Sequence, residues 1–284
     1  MKPFLIITSS DLKYGDFLFS HWLKSLKDNI DSKKVDIVVL DYGLSVSQKN
    51  NLQSENVKVV KCVRDGHVVN IRYRDMLSFL KSKKYKQVLS CDSGDIIFQA
   101  NLMPVFYDFP NKFRAIQEKL KDPFFIKMQL EKGSLSKLIH DKVILKLRNS
   151  PSINGGFIIA PQKKFMNLCD FVYKNTEDVS RFGSDQFIAD YYLSQQNYGC
   201  LDETFNFIPM MSGQKTNVKN GVFVDKNNAP FVVVHNTGGK DLLRVIDNFG
   251  YGKEFNNVNK LKYFIRRVYI KIVNSKIIAF LLNL

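Results

Sequence analysis

The residues best suited to chemistry in this chain are two carboxylates three positions apart, Asp92 and Asp95, in the stretch Ser90-Cys91-Asp92-Ser93-Gly94-Asp95. Val88 and Leu89 lead into the turn, and Ile96, Ile97 and Phe98 leave it. An apolar run bounded by such a turn reads as a buried strand. Open α/β sheets bind ligands beyond the carboxyl ends of their strands, which is where this pair falls. Carboxylate oxygens are hard donors that suit Mg²⁺ or Mn²⁺ better than Zn²⁺. An ion held by one or two carboxylates keeps its other positions for water and phosphate, so one reading is a metal–diphosphate site. The other is that both acids cap a helix or shape a turn. Local chemistry leaves both open.

Three further stretches carry candidate groups. Phe231-Val232-Val233-Val234-His235 is a β-branched run ending in a histidine, followed by Gly238-Gly239-Lys240. A histidine at a strand end beside glycines suits a ligand or acid–base group as well as a buried structural role. Lys240 suits a phosphate contact or an ordinary solvated face. Asn154-Gly155-Gly156 precedes an apolar run and marks a tight turn or a close approach of backbone to a ligand. Gly183-Ser184-Asp185-Gln186 opens a helix, with Ser184 as its N-cap and Asp185 in the first turn, where the dipole favours an acid.

The elements that must position these groups follow from periodicity. Residues 4–8, 35–40, 57–60 and 87–91 read as strands, and 17–26, 46–52 and 72–80 as helices. That alternation predicts a mostly parallel sheet covered by helices. No Gly-x-Gly-x-x-Gly follows the first strand, and no P-loop is present, so a bound nucleotide would be held mainly by metal and side chains. Further on, 114–120 and 125–130 read as short helices, and 205–209 and 222–224 as short strands. The mixed-charge run 138–147 fits a solvated helix face, a lid or part of an acceptor pocket.

Composition sets the outer limits. The 284 residues suit one large domain, or one with an appendage. A 45% hydrophobic content with 23 Phe and 12 Tyr predicts a folded chain. A net charge of +15 favours polyanions, anionic membrane or phosphorylated substrates without choosing among them. The four cysteines form no C-x-x-C pair, which argues against a structural zinc site and a disulfide framework. The absence of a signal peptide and of a long apolar window predicts an intracellular protein. Residues 257–284 hold six basic residues and no acid. At 100° per residue, Lys262, Arg266, Arg267 and Lys271 share one half of a helix there. Leu261, Phe264, Ile265, Val268, Tyr269 and Ile272 share the other, and an apolar stretch, 277–282, follows. This reads as an interfacial anchor on anionic lipid rather than a docked helix.

Taken together, these stretches resemble the metal-dependent nucleotide-sugar glycosyltransferases of the GT-A fold. The likeness is to the lipopolysaccharide galactosyl- and glucosyltransferases and the glycogenin-like enzymes, and it spans residues 4–240. The resemblance implies an α/β, Rossmann-like central sheet with helices on both faces. It implies a transferase domain over 1–256, with a nucleotide-binding half over 1–100 and an acceptor-side half over 101–256. The basic tail, 257–284, would be membrane-associating. Asp95 takes the position of the second aspartate of the family's Asp-x-Asp motif. The spacing here is Asp-x-x-Asp, so strict alignment sets Ser93 at the first position, and one extra turn residue gives that role to Asp92. His235 would complete the metal site with Mn²⁺ or Mg²⁺. Gly238 and Lys240 would meet the diphosphate. Thr8, Ser9 and Asp11 would hold the uridine of a UDP-sugar, and Arg72 or Arg74 would contact its phosphate or ribose. Asn154, Gly155 and Gly156 would line the donor sugar, with Asp185 and Gln186 beside it and the acceptor.

The implied activity is hexosyl transfer to a saccharide or lipid-linked glycan in surface polysaccharide synthesis (lipopolysaccharide or capsule). The resemblance leans toward retention of configuration, and toward a peripheral location on the cytoplasmic face of the inner membrane. Two other classes stay open on the residues alone. Another metal-dependent nucleotide or phosphate enzyme would demand more clustered acids than one pair and a histidine. A non-catalytic basic module for membrane or nucleic acid fits the charge. The aromatics, however, fall on core stripes rather than on a basic platform, so no nucleic-acid partner is expected.

Overall fold

The computed structural model describes residues 2–274, apart from 121, 133, 213, 215, 216, 239 and 240. The apolar end of the basic tail lies outside the described residues.

The chain opens with β1 (Phe4–Ser10). Helix α1 (Gly15–Phe17) continues through a π-helical segment, Leu18–Leu23, into α2 (Lys24–Asp28). Next come β2 (Val35–Asp41), α3 (Val46–Ser54), β3 (Lys58–Lys61), α4 (Val68–Leu80), β4 (Gln87–Cys91) and β5 (Ile96–Phe98). The middle holds β6 (Arg114–Gln117), α5 (Pro123–Lys132), α6 (Lys137–Asn149), β7 (Ile153–Pro161), α7 (Gln162–Lys174) and α8 (Asp185–Ser194). The last part has β8 (Gly199–Cys200), β9 (Asn217–Lys219), β10 (Val222–Val224), β11 (Val233–His235), β12 (Ile246–Asn248), β13 (Asn257–Val258) and α9 (Lys260–Val273).

The main sheet has seven strands in the order β3-β2-β1-β4-β7-β6-β8. Strand β7 runs antiparallel to both of its neighbours, and every other pairing is parallel. The expected mostly parallel sheet is therefore present, with one strand reversed. Both faces are covered, and the alternation along β1 shows how. Leu5 and Ile7 enter a core with Ile71, Met76 and Leu80 of α4 and Phe165, Leu168 and Val172 of α7. Phe4 and Ile6 enter the opposite core with Leu18, Trp22, Leu23 and Leu26. A strand buried on both sides needs this continuous apolar run. Helix α3 starts with a capping box: Ser45 Oγ accepts from the Gln48 amide at 3.1 Å while Gln48 Oε1 accepts from the Ser45 amide at 3.0 Å.

Three local expectations are corrected. Residues 114–117 form β6, not a helix. Arg114 is fully buried there and donates to the carbonyl of Val105 at 2.7 Å, to that of Asp108 and to Gln87 Oε1. Pairing with β7 and β8 thus overrides a helix-forming composition. Ser184 precedes α8 but is not a capping side chain. Its backbone is left-handed (φ 73°), and its hydroxyl accepts from the Ser134 amide at 3.0 Å and donates to the Gln129 carbonyl at 3.5 Å. Residues 203–205 form a 3₁₀ turn, and beyond it Phe207 alone bridges to Val234. Helix α6 is anchored by buried Ile139, Val143 and Leu147 and by a Lys146–Asp190 ion pair, so it is a fixed element of the core.

A third apolar cluster lies where α9 meets the rest of the chain. Ile270 and Val273 enter it beside Ile97, Phe207, Phe231 and Val234. Arg267 donates to the Ser212 carbonyl at 2.6 Å, and Tyr269 to Asp122 at 2.9 Å. The opposite face of α9 carries Leu261, Phe264, Ile265, Val268 and Ile272, all exposed.

Candidate metal centre and donor site

Three chain segments bring the ligands together. Asp92 directly follows β4, and its amide donates to the Gly156 carbonyl at 3.0 Å, which prolongs the β4–β7 pairing by one residue. Trp22 Nε1 donates to the Asp92 carbonyl at 3.0 Å and fixes the turn from behind. Asp95 precedes β5, which pairs antiparallel with β11 so that His235 faces Ile96. The Asn236 amide donates to the Asp95 carbonyl at 2.8 Å. Strand register therefore sets His235 beside Asp95 across 140 residues of sequence.

Asp92, Asp95 and His235 each offer a ligand atom, and these atoms lie within 4.8 Å of one another. His235 Nε2 is 3.3 Å from Asp95 Oδ1 and 4.0 Å from Asp92 Oδ2. Two carboxylates and an imidazole form a donor set that fits a divalent cation such as Mn²⁺ or Mg²⁺. Gly156 makes the cluster possible. A Cβ on it would sit 2.6 Å from His235 Cε1 and 2.8 Å from Asp92 Oδ2. Ser93, the alternative first member of the motif, has its hydroxyl on the Ser9 carbonyl at 2.7 Å, outside the cluster.

Arg72 is buried between two acids. It donates to Asp92 Oδ1 at 2.7 Å and to Asp185 Oδ2 at 3.1 Å. Burial would raise the Asp92 carboxyl, but Arg72 and then His235 outweigh it and hold the group below its ordinary range. Burial pushes Asp185 upward despite Arg72. His235 is raised, because the Asp95 carboxylate more than offsets a burial that would lower it. Arg244 adds a second cation, 3.6 Å from Asp95 Oδ2, and its Nε donates to the Gly238 carbonyl at 2.7 Å.

The amide side chains form a second layer. Asn154 Nδ2 donates to Glu118 Oε1 at 2.9 Å, and Asn154 Oδ1 accepts from the Gly156 amide at 3.0 Å. Gly155 leaves room for Gln186, whose Cβ would lie 3.3 Å from a Cβ there. Gln186 also reaches Glu118. Burial pushes the Glu118 carboxyl up to about 7, against the lowering effect of Asn154.

The structure thus gathers Asp92, Asp95, His235, Arg72, Asp185, Gln186, Asn154, Gly155 and Gly156 around one centre. It does not bring Arg74 there. That side chain is held by Asp65 at 2.7 Å and Asp75 at 2.8 Å. It lines a separate pocket of about 420 Å³ beside Cys62 and Phe79. Thr8 is buried at the end of β1, with no hydrogen-bond partner for its hydroxyl among the described residues. Asp11 pairs with Arg64 at 3.1 Å. Gly238 has φ +131°, a conformation that favours glycine. Lys240 lies outside the described residues. Glu118, Asn206 and Arg244 are the functional candidates that sequence reasoning missed. Only Arg244 had a signal, a basic residue just past the Gly-Gly-Lys turn.

A crystal structure of the galactosyltransferase LgtC with donor and acceptor sugar analogues matches with a TM-score of 0.57 at 17% identity, over 94% of this chain and 96% of that one. The chain has a GT-A glycosyltransferase-like fold. An active-site mutant of LgtC matches the same fold with a TM-score of 0.56 at 16% identity, over 94% of this chain and 96% of that one. The apo structure of the bifunctional glycosyltransferase WbbM matches with a TM-score of 0.53 at 15% identity, over 94% of this chain and 52% of that one. No protein-family model and no curated protein matches the sequence. The candidate cation cluster sits at the carboxyl edge of the GT-A sheet, just past β4.

Proposed function

We propose that the protein is a metal-dependent hexosyltransferase. It takes a sugar from a nucleotide-sugar, read as a UDP-sugar, and passes it to a saccharide or lipid-linked glycan of a surface polysaccharide. The observation that carries this reading is the Asp92–Asp95–His235 cluster, with Arg72, Asp185, Asn154 and Gln186 gathered beside it. One bond breaks, from the anomeric carbon to the diphosphate oxygen, which keeps the electron pair. One forms, from the anomeric carbon to an acceptor oxygen, whose proton passes to the departing diphosphate or to water. A bound Mn²⁺ or Mg²⁺ would neutralise the departing diphosphate.

The chain's own residues then have separable tasks. Asp92, Asp95 and His235 hold the cation. Arg72 bridges the Asp92 and Asp185 carboxylates and holds both in place. Asp185, Gln186 and Asn154 orient sugar hydroxyls. Arg244 and Gly238 face the diphosphate, the family resemblance assigns Lys240 to it as well, and the β1 end with Thr8, Ser9 and Asp11 faces the nucleoside. The proposed stereochemical course is retention.

The second part of the reading concerns 257–284. The exposed apolar face of α9, with Lys271 exposed at its edge and Arg266 and Arg267 on the docked side, supports attachment to a bilayer surface. No described helix is long and apolar enough to cross a membrane. A peripheral position on the cytoplasmic face of the inner membrane follows from a lipid-linked acceptor.

A thermal-shift panel tests the activity class. Nucleoside diphosphates, UDP-, GDP- and CMP-sugars and nucleoside triphosphates are each added with and without Mn²⁺. A ligand that binds the native state raises Tm. Stabilisation by a nucleoside diphosphate or its sugar, only with metal, is the expected result. Stabilisation by triphosphates alone would favour a nucleotidyl-transferring or phosphohydrolase activity, and no metal-linked shift would remove the proposal.

A further inference from the structure

His235 contributes Nε2 to the carboxylate cluster, and its other ring nitrogen is not idle. Nδ1 lies 3.0 Å from Asn206 Oδ1, and both residues are buried. The segment carrying Asn206 is held against β11 by backbone bonds: the His235 amide donates to the Phe207 carbonyl at 2.9 Å, and the Phe207 amide to the Val233 carbonyl at 2.8 Å. Asn206 is therefore fixed beside the ring by register.

The orientation of each amide follows from one obligate donor. The Gly156 backbone N–H points at the Asn154 side chain at 3.0 Å and can only donate, so the Asn154 oxygen must face it. The Asn154 nitrogen then faces the Glu118 carboxyl at 2.9 Å, where a donor is wanted. The Asn206 group 2.9 Å from that same Asn154 oxygen must be its NH₂. Its oxygen is left facing His235 Nδ1, which must therefore carry a proton. Reversing any amide in the series would set two donors, or an oxygen and a carboxyl acceptor, against each other.

We infer that Asn206, held by Asn154 and Glu118, is a positioning residue that keeps His235 in the Nδ1–H tautomer. Nε2 then presents its lone pair toward Asp92 and Asp95, ready for a divalent cation. Which imidazole nitrogen serves as a ligand is set by the hydrogen bond that the other makes. Loss of such an outer partner weakens metal binding roughly 10–100-fold. The inference deepens the cation reading of the cluster and rests on it for its purpose, but its geometry does not need the ion.

The test joins two measurements on the full chain. Two-bond ¹⁵N–¹H NMR of the metal-free protein at alkaline pH, where the ring is neutral, reads the tautomer. The His235 signals are assigned by comparison with His235→Gln. Titration with Mn²⁺ alone, followed by EPR of free ion, reads affinity. Wild type is expected to show Nδ1–H. Asn206→Leu is expected to shift the ring toward Nε2–H and to bind Mn²⁺ roughly 10–100-fold more weakly. Asn206→Asp loses the donor to Asn154 Oδ1 but still accepts from Nδ1–H, and is expected to keep the tautomer. An Nε2–H ring in wild type overturns the inference whether or not the leucine variant folds. So does a folded Asn206→Leu with unchanged tautomer and affinity. If wild type shows Nδ1–H but binds no Mn²⁺, the hydrogen-bond inference stands and the proposed metal-dependent function fails.

Discussion

Asp95 and His235 face each other because β5 and β11 pair, and Asp92 joins them because β4 ends where Gly156 leaves room. The clearance at Gly156 gives the first prediction. Gly156→Ala puts a methyl group 2.6 Å from His235 Cε1, so His235 or Asp92 must move. Mn²⁺ affinity should fall at least 10-fold by calorimetry, with the circular dichroism spectrum retained. A second prediction concerns Glu118, whose folded carboxyl titrates at about 7 against an ordinary 4.5. The native state then binds more protons than the unfolded one across that window. Glu118 therefore favours folding fully below about 4.5, and that contribution is lost as pH rises through about 7. Denaturant titrations of wild type should show stability dropping by on the order of 2–3 kcal/mol relative to Glu118→Gln over this range. Parallel curves would contradict it. Of the site residues, the two aspartates and the histidine were legible because a carboxylate pair and a strand-end histidine carry their chemistry in their own names. Glu118 and Asn206 were not. Glu118 follows a run of helix-forming residues that folds as β6, and Asn206 acquires meaning only from what β11 sets beside it. Arg72 and Arg74 could not be told apart from sequence, since positions two apart on a helix face different ways.

At the scale of elements, the strands flanking the site were readable from their apolar runs, while β6 was hidden by its composition. Arg114, Gln117 and Glu118 favour a helix locally, and pairing on both sides outweighs that preference. Helix α9 shows the same limit. Its amphipathic split was visible, but which face docks was not. Ile270 and Val273 are the buried pair, and the more apolar face points outward. Ile270→Ala should cost about 2–5 kcal/mol in urea denaturation, as for other buried large-to-small changes. The double substitution Phe264→Ser, Ile265→Ser on the exposed face should change stability by within about 0.5 kcal/mol each. The same double variant should lose co-sedimentation with vesicles of anionic phospholipid. Unchanged vesicle binding would remove the membrane role assigned to this face. Arg72→Met offers a complementary test of the α4 end. It leaves Asp92 and Asp185 without their shared cation, and a destabilisation of about 3–5 kcal/mol is expected. Added Mn²⁺ should recover part of it by replacing the lost charge beside Asp92.

At the scale of the whole molecule, a mostly parallel sheet with one reversed strand sets the donor-side residues along one edge. The alternation of strands and helices made that architecture legible from the first hundred residues. The reversed β7 was not legible, since its buried apolar run from Phe157 to Ala160 reads the same in either strand direction. Net charge acts at this scale too. With +15 overall, affinity for anionic vesicles should fall steeply as ionic strength rises, whereas cation binding in the shielded cluster should change little. In the proposed function, Asp92, Asp95 and His235 hold a divalent cation that carries the diphosphate of a nucleotide-sugar. Isothermal titration of UDP into the protein, with and without Mn²⁺, in wild type and Asp95→Ala, tests it most directly. UDP binding is expected to require Mn²⁺ in wild type and to be lost in Asp95→Ala. Equal UDP affinity with and without the metal, or a fully retained metal-dependent affinity in Asp95→Ala, would contradict it.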